Sequence, residues 1–391
     1  MHSIDDQTAM VMAGVPSSDM SFYHRIRFSV GDPAAWIGWN RGGRNGSRLI
    51  LRDIEMERAR KTVKVGSIAC PADFAPDSGL SPDRAIATAQ ATAECLVREG
   101  FTVALVHRDL PMLFADCMRE RGIELICDRD FGVADRRAKD EDEIEALSRA
   151  QAATESAMEM ACRTIGGADA AGDGELITGG EPLTSERVRS LIDMHLIGLG
   201  FAPRPAIVAG GVEGADCHQL GSGPLRTSEP VIVDIFPRDT RSLYNGDCTR
   251  TVVHGDIPDD VVAMHAAVVS AKRAGIEATK AGVTAESVHQ ATIEAIRSGG
   301  FGIGLPGPDD APSGRMVHGT GHGIGLDVHE GTLLDLAPSG ASPKLLAGEA
   351  LTIEPGVYDP RSGGVRIEDL VIVRDEGCDN LNTLHEGLDW R

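Results

Sequence analysis

Four carboxylates lie inside or beside short apolar runs of extended character, and few folds can accommodate that arrangement. Val231-Ile232-Val233-Asp234-Ile235-Phe236 carries Asp234, and Asp247 directly precedes Cys248-Thr249-Arg250-Thr251-Val252-Val253. Leu351-Thr352-Ile353-Glu354 and Val365-Arg366-Ile367-Glu368-Asp369-Leu370-Val371 embed two glutamates. An isolated carboxylate buried among such residues is very costly unless it is paired or bound to a metal. In the last run, period-two alternation puts Arg366 and Glu368 on one face and Val365, Ile367 and Val371 on the other.

A second stretch supplies imidazoles. His318, His322 and His329 fall within twelve positions, interleaved with Gly319, Gly321, Gly323 and Gly325. Glycine tolerates irregular backbone and close approach, and it disfavours a helix. The HExxH zinc helix is absent, because His329-Glu330 is followed by Gly331-Thr332-Leu333. Any metal held here must draw its other ligands from elsewhere in the chain. Four carboxylates carry about −4, which two divalent cations would balance, with one neutral imidazole completing the set. Oxygen-rich ligation with a single His favours Mn²⁺ or Co²⁺ over a sulfur-bound structural zinc. Two such ions about 3.5–4 Å apart can share a hydroxide and polarise a carbonyl.

In order, Asp234-Ile235-Phe236-Pro237, Asn245-Gly246-Asp247-Cys248-Thr249-Arg250-Thr251, residues 318–330, Leu351-Thr352-Ile353-Glu354-Pro355-Gly356 and Val365-Arg366-Ile367-Glu368-Asp369 resemble the pita-bread metallopeptidases. These include aminopeptidase P, prolidase and their methionine-aminopeptidase relatives. The resemblance covers about residues 136–385 and implies a dinuclear site. Asp234 would bind one metal, His322 and Glu354 the other, and Asp247 and Glu368 would bridge both. It also implies a bridging hydroxide attacking the scissile carbonyl, with Glu354 shuttling the proton. His329 would hold the carbonyl oxygen or the tetrahedral intermediate. His218 would contact substrate, His318 would line the proline side, and Arg366 would orient Asp234 or the substrate. The metals implied are two Mn²⁺, with Co²⁺ or Zn²⁺ as alternatives.

Three positions depart from the family pattern. Phe236 replaces the glycine of Asp-x-Gly, and the gap to Asp247 is stretched. The segment before His218 lacks an Asn, and Gly331 is not followed by Pro. The last two changes touch substrate contacts. The activity implied is an Xaa-Pro aminopeptidase, with prolidase as the close alternative. A creatinase-like enzyme or a non-catalytic binding protein, such as a histone chaperone domain, is a further one.

The remaining sequence sets the frame. A chain of 391 residues is long enough for two domains. We expect an α/β domain over residues 1–135, similar to the creatinase-like domain of aminopeptidase P and prolidase. An α+β pita-bread domain with pseudo-twofold symmetry is expected over residues 136–391. In the first domain, helix patterns near 81–96 and 111–121 alternate with extended runs near 48–51, 101–106 and 123–127. That alternation predicts a largely parallel sheet. No phosphate loop or dinucleotide fingerprint occurs there, so a positioning or dimerising role is expected. In the second, Ile144, Leu147, Ala150, Thr154, Met158 and Ala161 make one helical stripe, and further helices are expected near 184–199, 258 onward and 284 onward. Two helices then strands, twice over, suggest the pseudo-symmetry.

A net charge of −21 disfavours nucleic acid and anionic membrane partners. The start of the chain is polar and acidic, and no run of about 18 apolar residues occurs, so neither a secretory signal nor a membrane span is expected. Eight dispersed cysteines without CxxC pairing fit reduced thiols in a cytoplasmic protein. The resemblance adds a homodimer and a proline-containing peptide substrate. Tyr244 either faces the site or packs, His254, His265 and His289 read as surface or helix residues, and the acidic run 140–143 reads as a solvated helix start.

Overall fold

In the computed structural model, which describes residues 6–307, 313–337 and 340–391, the chain divides into two units, Met1–Arg136 and Arg137–Arg391. In the first, six strands form one sheet in the order Ser67–Ala69, Arg44–Ile50, Ala34–Arg41, Thr8–Gly14, Val103–His107, Glu124–Asp128. Two pairings depart from a parallel sheet: Ala34–Arg41 runs antiparallel to both neighbours. The cause is local. Gly42 and Gly43 both take positive φ, 55° and 76°, the geometry of a two-residue hairpin turn. The parallel half comes from crossovers through helices Arg84–Arg98 and Met112–Glu120. Asp83 caps the first, its side chain accepting the N–H groups of Ala85 and Ile86. Leu96, Phe114 and Met118 pack with Ile37, Ala104 and Val106 in the core below.

The second unit starts at helix Glu141–Gly166. Asp140 and Glu143 form a reciprocal capping box, each side chain accepting the other's backbone N–H at 2.9 Å. Glu143 is buried and accepts the Tyr244 hydroxyl. The acidic run is therefore solvated only in part, and Tyr244 is a packing residue. All six residues of the expected stripe, Ile144 to Ala161, are buried. Helix Ser185–Gly198 lies beside it. Strands Ile207–Gly210, Pro230–Ile235 and Cys248–Val253 then form an antiparallel sheet. The order recurs: helices Asp259–Ala278 and Ala285–Ser298 precede a five-stranded sheet. Its strands run Glu330–Leu334, Gly321–Gly323, Ala350–Ile353, Asp369–Val373, Cys378–Asn380. This repeat of helix pair and sheet matches the expected pseudo-symmetry.

Two hand-overs in the second sheet matter for function. Ile353 pairs with Asp369, and Gly356 pairs with Arg366 in a separate sheet. Glu354 and Glu368 thus sit at the junction where both strands change sheets. The Glu368 N–H donates to the Thr249 carbonyl at 3.0 Å, tying this junction to the first sheet. Gly321 lets the histidine stretch approach strand Ala350–Ile353, since a Cβ there would lie 1.9 Å from the Thr352 carbonyl oxygen. Among the described residues no helix is long and apolar enough to cross a membrane, and the eight cysteines are free.

Candidate metal centre

Asp234, Asp247, His322, Glu354 and Glu368 line one cleft of about 330 Å³, together with His218, His318, His329 and Arg366. Asp247, His322 and Glu368 each offer a ligand atom within 4.8 Å of the others. His322 Nε2 lies 3.4 Å from Glu354 Oε1 and 3.9 Å from Asp247 Oδ2. Asp234 enters through strand pairing, opposite Thr249.

Each of these groups is aimed by a neighbour. Thr249 Oγ1 donates to Glu368 Oε2 at 2.8 Å. Gln151 clamps the Asp247 main chain in both directions, donating to its carbonyl at 2.7 Å and accepting its N–H at 2.9 Å. Arg366 Nη2 donates to Asp234 Oδ2 at 2.6 Å, while Asp234 Oδ1 is buried with no hydrogen-bond partner. His322 Nδ1 lies 3.1 Å from the Gly323 carbonyl. A proton on Nδ1 leaves Nε2 with a free lone pair facing the carboxylates.

The electrostatics are strained. Burial first, then the charges of Glu368 and Asp234, push the Asp247 carboxyl well above its ordinary range. Glu368 is likewise pushed well up, by burial and then by Glu354 and Asp234. Glu354 is raised mainly by burial. Burial lowers His318, His322 and His329, which favours neutral rings. Buried carboxylates that repel one another, an orphaned carboxylate oxygen and a lone pair on a neutral imidazole fit divalent cations.

A pH dependence follows. The folded-state pKa values of Asp247 and Glu368 lie above the unfolded ones without metal. Their stabilising contribution is therefore full below the unfolded pKa and lost as pH rises through the folded pKa. Chelated protein should lose thermal stability as pH rises above the ordinary carboxylate range, and added Mn²⁺ should raise Tm most at the upper end of the scan. Scanning calorimetry with EDTA and with Mn²⁺ measures the gap; a gap that narrows with rising pH contradicts this account.

The outer residues differ in role. His318 Nε2 and the Tyr358 hydroxyl are 2.7 Å apart, and that hydroxyl accepts from Arg366 Nη1 at 2.9 Å. Arg366, Tyr358 and His318 thus form one chain along the cleft wall. The His329 ring meets the His322 ring edge-on, with centroids 4.3 Å apart. His218 is exposed at the cleft edge, with its N–H donating to Asp216 Oδ1 at 3.0 Å.

Behind the ligands lies a buried ionic cluster that the sequence reading missed. Arg250, 1% exposed, donates to the Glu368 carbonyl at 2.6 Å and to Asp369 Oδ1 at 2.9 Å. Lys272, also buried, pairs with Asp369 Oδ2 and, at 2.7 Å, with Glu386. Burial opposes ionisation of Asp369, but Arg250 and Lys272 outweigh it and hold the carboxyl below its ordinary range. Among the histidines set aside, His254 bonds Thr227 and the Ala168 carbonyl, and His265 bonds the Glu386 carbonyl. His289 is a helix residue but not a surface one. It is buried, with Nδ1 2.9 Å from Thr320 Oγ1.

Comparison with known proteins points the same way. Residues 145–375 match metallopeptidase family M24. The chain is 37% identical over 177 residues to the probable dipeptidase PepE of Mycobacterium tuberculosis (strain ATCC 25618 / H37Rv), covering 45% of this chain and 43% of that protein. It is 30% identical over 198 residues to the Xaa-Pro dipeptidase of Pyrococcus furiosus, covering 50% and 52%. The matched stretch therefore spans about half the length of these relatives. Among solved structures, the prolidase from Pyrococcus furiosus superimposes with a TM-score of 0.75 at 22% identity, covering 98% of this chain and 97% of that one. The X-Pro aminopeptidase from Thermotoga maritima does so with a TM-score of 0.77 at 21% identity and the same coverage. The fold is the pita-bread fold of these enzymes.

Proposed function

Because the chain belongs to metallopeptidase family M24, we propose that it is a two-metal exopeptidase that releases the residue preceding proline from peptide N-termini, an Xaa-Pro aminopeptidase. The observation that carries this reading is the convergence of two aspartates, two glutamates and a neutral imidazole on one cleft. Asp234 would hold one ion through its orphaned Oδ1, His322 and Glu354 the other, and Asp247 and Glu368 both. Mn²⁺ suits this oxygen-rich set, with Co²⁺ or Zn²⁺ as alternatives. When bound, the pair supplies Lewis-acid polarisation of the scissile carbonyl and a nucleophile at neutral pH.

The chain's own residues do the rest. Glu354 accepts the proton of the attacking water and returns it to the departing amine of proline. His329 presents a neutral N–H donor to the carbonyl oxygen as charge develops there. Arg366 holds Asp234 in place and, through Tyr358, fixes the ring of His318 as a wall for the proline side. His218 contacts substrate from the cleft edge. Homodimerisation through residues 1–135 and a cytoplasmic site of action belong to the same proposal.

The second reading is a dipeptidase, favoured by the names of the relatives from Mycobacterium and Pyrococcus. The charge on the cleft wall supports the first. Among the described residues lining the cleft, Arg366 is the permanent cation, and it is committed to Asp234 and Tyr358. Asp335, which also lines the cleft, presents a half-exposed carboxylate. A free proline carboxylate would meet repulsion there, whereas a third residue carries that charge further out. With Mn²⁺ present, kcat/KM for Ala-Pro-Ala should exceed that for Ala-Pro by about tenfold, an exchange of roughly 1.4 kcal/mol. A preference for Ala-Pro reverses the assignment, and hydrolysis of neither removes both.

A further inference from the structure

Asp216, Cys217 and His218 form a second cluster of metal-binding groups, at the edge of the same cleft. Each offers a ligand atom, and these atoms lie within 4.8 Å of one another. Cys217 Sγ is 3.9 Å from His218 Nδ1. Asp216 and His218 are exposed, and Cys217 is half-buried. The backbone holds the three together: Asp216 ends the turn Gly211–Ala215, and its Oδ1 accepts the His218 N–H at 3.0 Å. Cys217 and His218 line the cleft, while Asp216 stands outside it.

The donor chemistry differs from that of the main site. One thiolate, one imidazole and one carboxylate select a softer ion than four carboxylates and one imidazole do. Three protein ligands also leave a position open to water. We infer that Asp216, Cys217 and His218 form a separate, low-occupancy zinc site at the cleft mouth, and that zinc there inhibits the enzyme by withdrawing His218 from the substrate. The inhibitory part rests on the peptidase reading above; the metal site does not. On binding, the Cys217 thiol gives its proton to solvent and the thiolate becomes the sulfur ligand. Burial raises the thiol pKa of Cys217, which opposes the loss of that proton.

Sulfur makes the site separately visible, because the main site contains none. Enzyme already loaded with Mn²⁺ is titrated with Co²⁺, and the near-ultraviolet thiolate-to-cobalt charge-transfer band is followed. The band should appear in the unsubstituted protein, vanish in Cys217→Ser and need more Co²⁺ in Asp216→Asn. In parallel, Zn²⁺ is added during hydrolysis of Ala-Pro-Ala, each variant being normalised to its own zinc-free rate. Zinc should raise KM, and its inhibitory midpoint should rise by about tenfold or more in both variants, at least what loss of an outer partner costs a metal site. Absence of the band, its persistence in Cys217→Ser, or an unchanged midpoint in both variants overturns the inference. A band that behaves as stated, in a protein that hydrolyses no Xaa-Pro peptide, supports the site and overturns only the peptidase reading.

Discussion

Glu354→Gln should lower kcat for Ala-Pro-Ala by about 10²–10⁴-fold, the range for removing a positioned general base, while the protein keeps its metal. The substitution preserves one carbonyl oxygen as a ligand and removes the basic site. Three features of the structure support the separation. Glu354 sits where two strands change sheets, so its main chain is pinned, with its N–H donating to the Thr320 carbonyl at 2.8 Å. Its side chain is the more accessible of the cleft glutamates, about one-fifth exposed, within reach of a substrate. Without metal, burial raises its carboxyl pKa, the direction that strengthens it as a proton acceptor. Metal analysis by inductively coupled plasma and steady-state rates on one preparation decide the matter. If the variant keeps its metal and loses less than about tenfold in kcat, Glu354 is a ligand only and the proton travels by another group.

The candidate site was legible in the sequence where charge conflicts with context. Asp234 and Glu368 stand in apolar extended runs, and such a conflict is a local signal that requires no knowledge of the fold. The residues that aim them carry no conflict. Thr249, Gln151 and Tyr358 are ordinary polar residues whose task appears only once the strands and helix Glu141–Gly166 are in place. His289 and Lys272 are different, because periodicity could have found them. Val288, His289, Thr292, Ile293 and Ile296 share one buried stripe, and so do Val268, Ala271, Lys272 and Gly275. A polar residue on an apolar helical stripe is the helical form of the same conflict.

In the N-terminal unit the parallel half was legible because helices Arg84–Arg98 and Met112–Glu120 announce themselves by caps and terminal glycines. Strand Thr8–Gly14 was not, since it is buried on nearly every position and shows no alternation. The antiparallel turn was marked by Gly42-Gly43, a dipeptide that favours a two-residue hairpin. Reading that pair would have added strand Ala34–Arg41 as the antiparallel partner of Arg44–Ile50.

The cluster of Arg250, Lys272 and Asp369 carries the largest expected effect on stability. Asp369 has both carboxylate oxygens engaged: Oδ1 with Arg250, Oδ2 with Lys272 and, at 2.8 Å, with Asn380. Arg250 and Lys272 are almost fully buried, so neither can turn to water when the carboxylate is lost. Asp369→Ala should therefore destabilise the protein by about 3–5 kcal/mol, the cost of leaving buried charge uncompensated rather than the worth of the pair itself. Neutralising the cations tests that distinction. Adding Lys272→Met to Asp369→Ala should recover part of the loss, because a buried ammonium left with the half-exposed Glu386 alone is gone and its stem volume is retained. Urea unfolding of the metal-loaded protein reads both values. The effect should also reach the metals, since Arg250 donates to the Glu368 carbonyl and the Glu368 N–H is held by Thr249; Mn²⁺ affinity should fall by about 10–100-fold in Asp369→Ala, as when outer partners of a ligand are lost. A loss below about 1 kcal/mol, or a double variant less stable than the single one, would mean that water reaches this cluster and that it does not position Glu368.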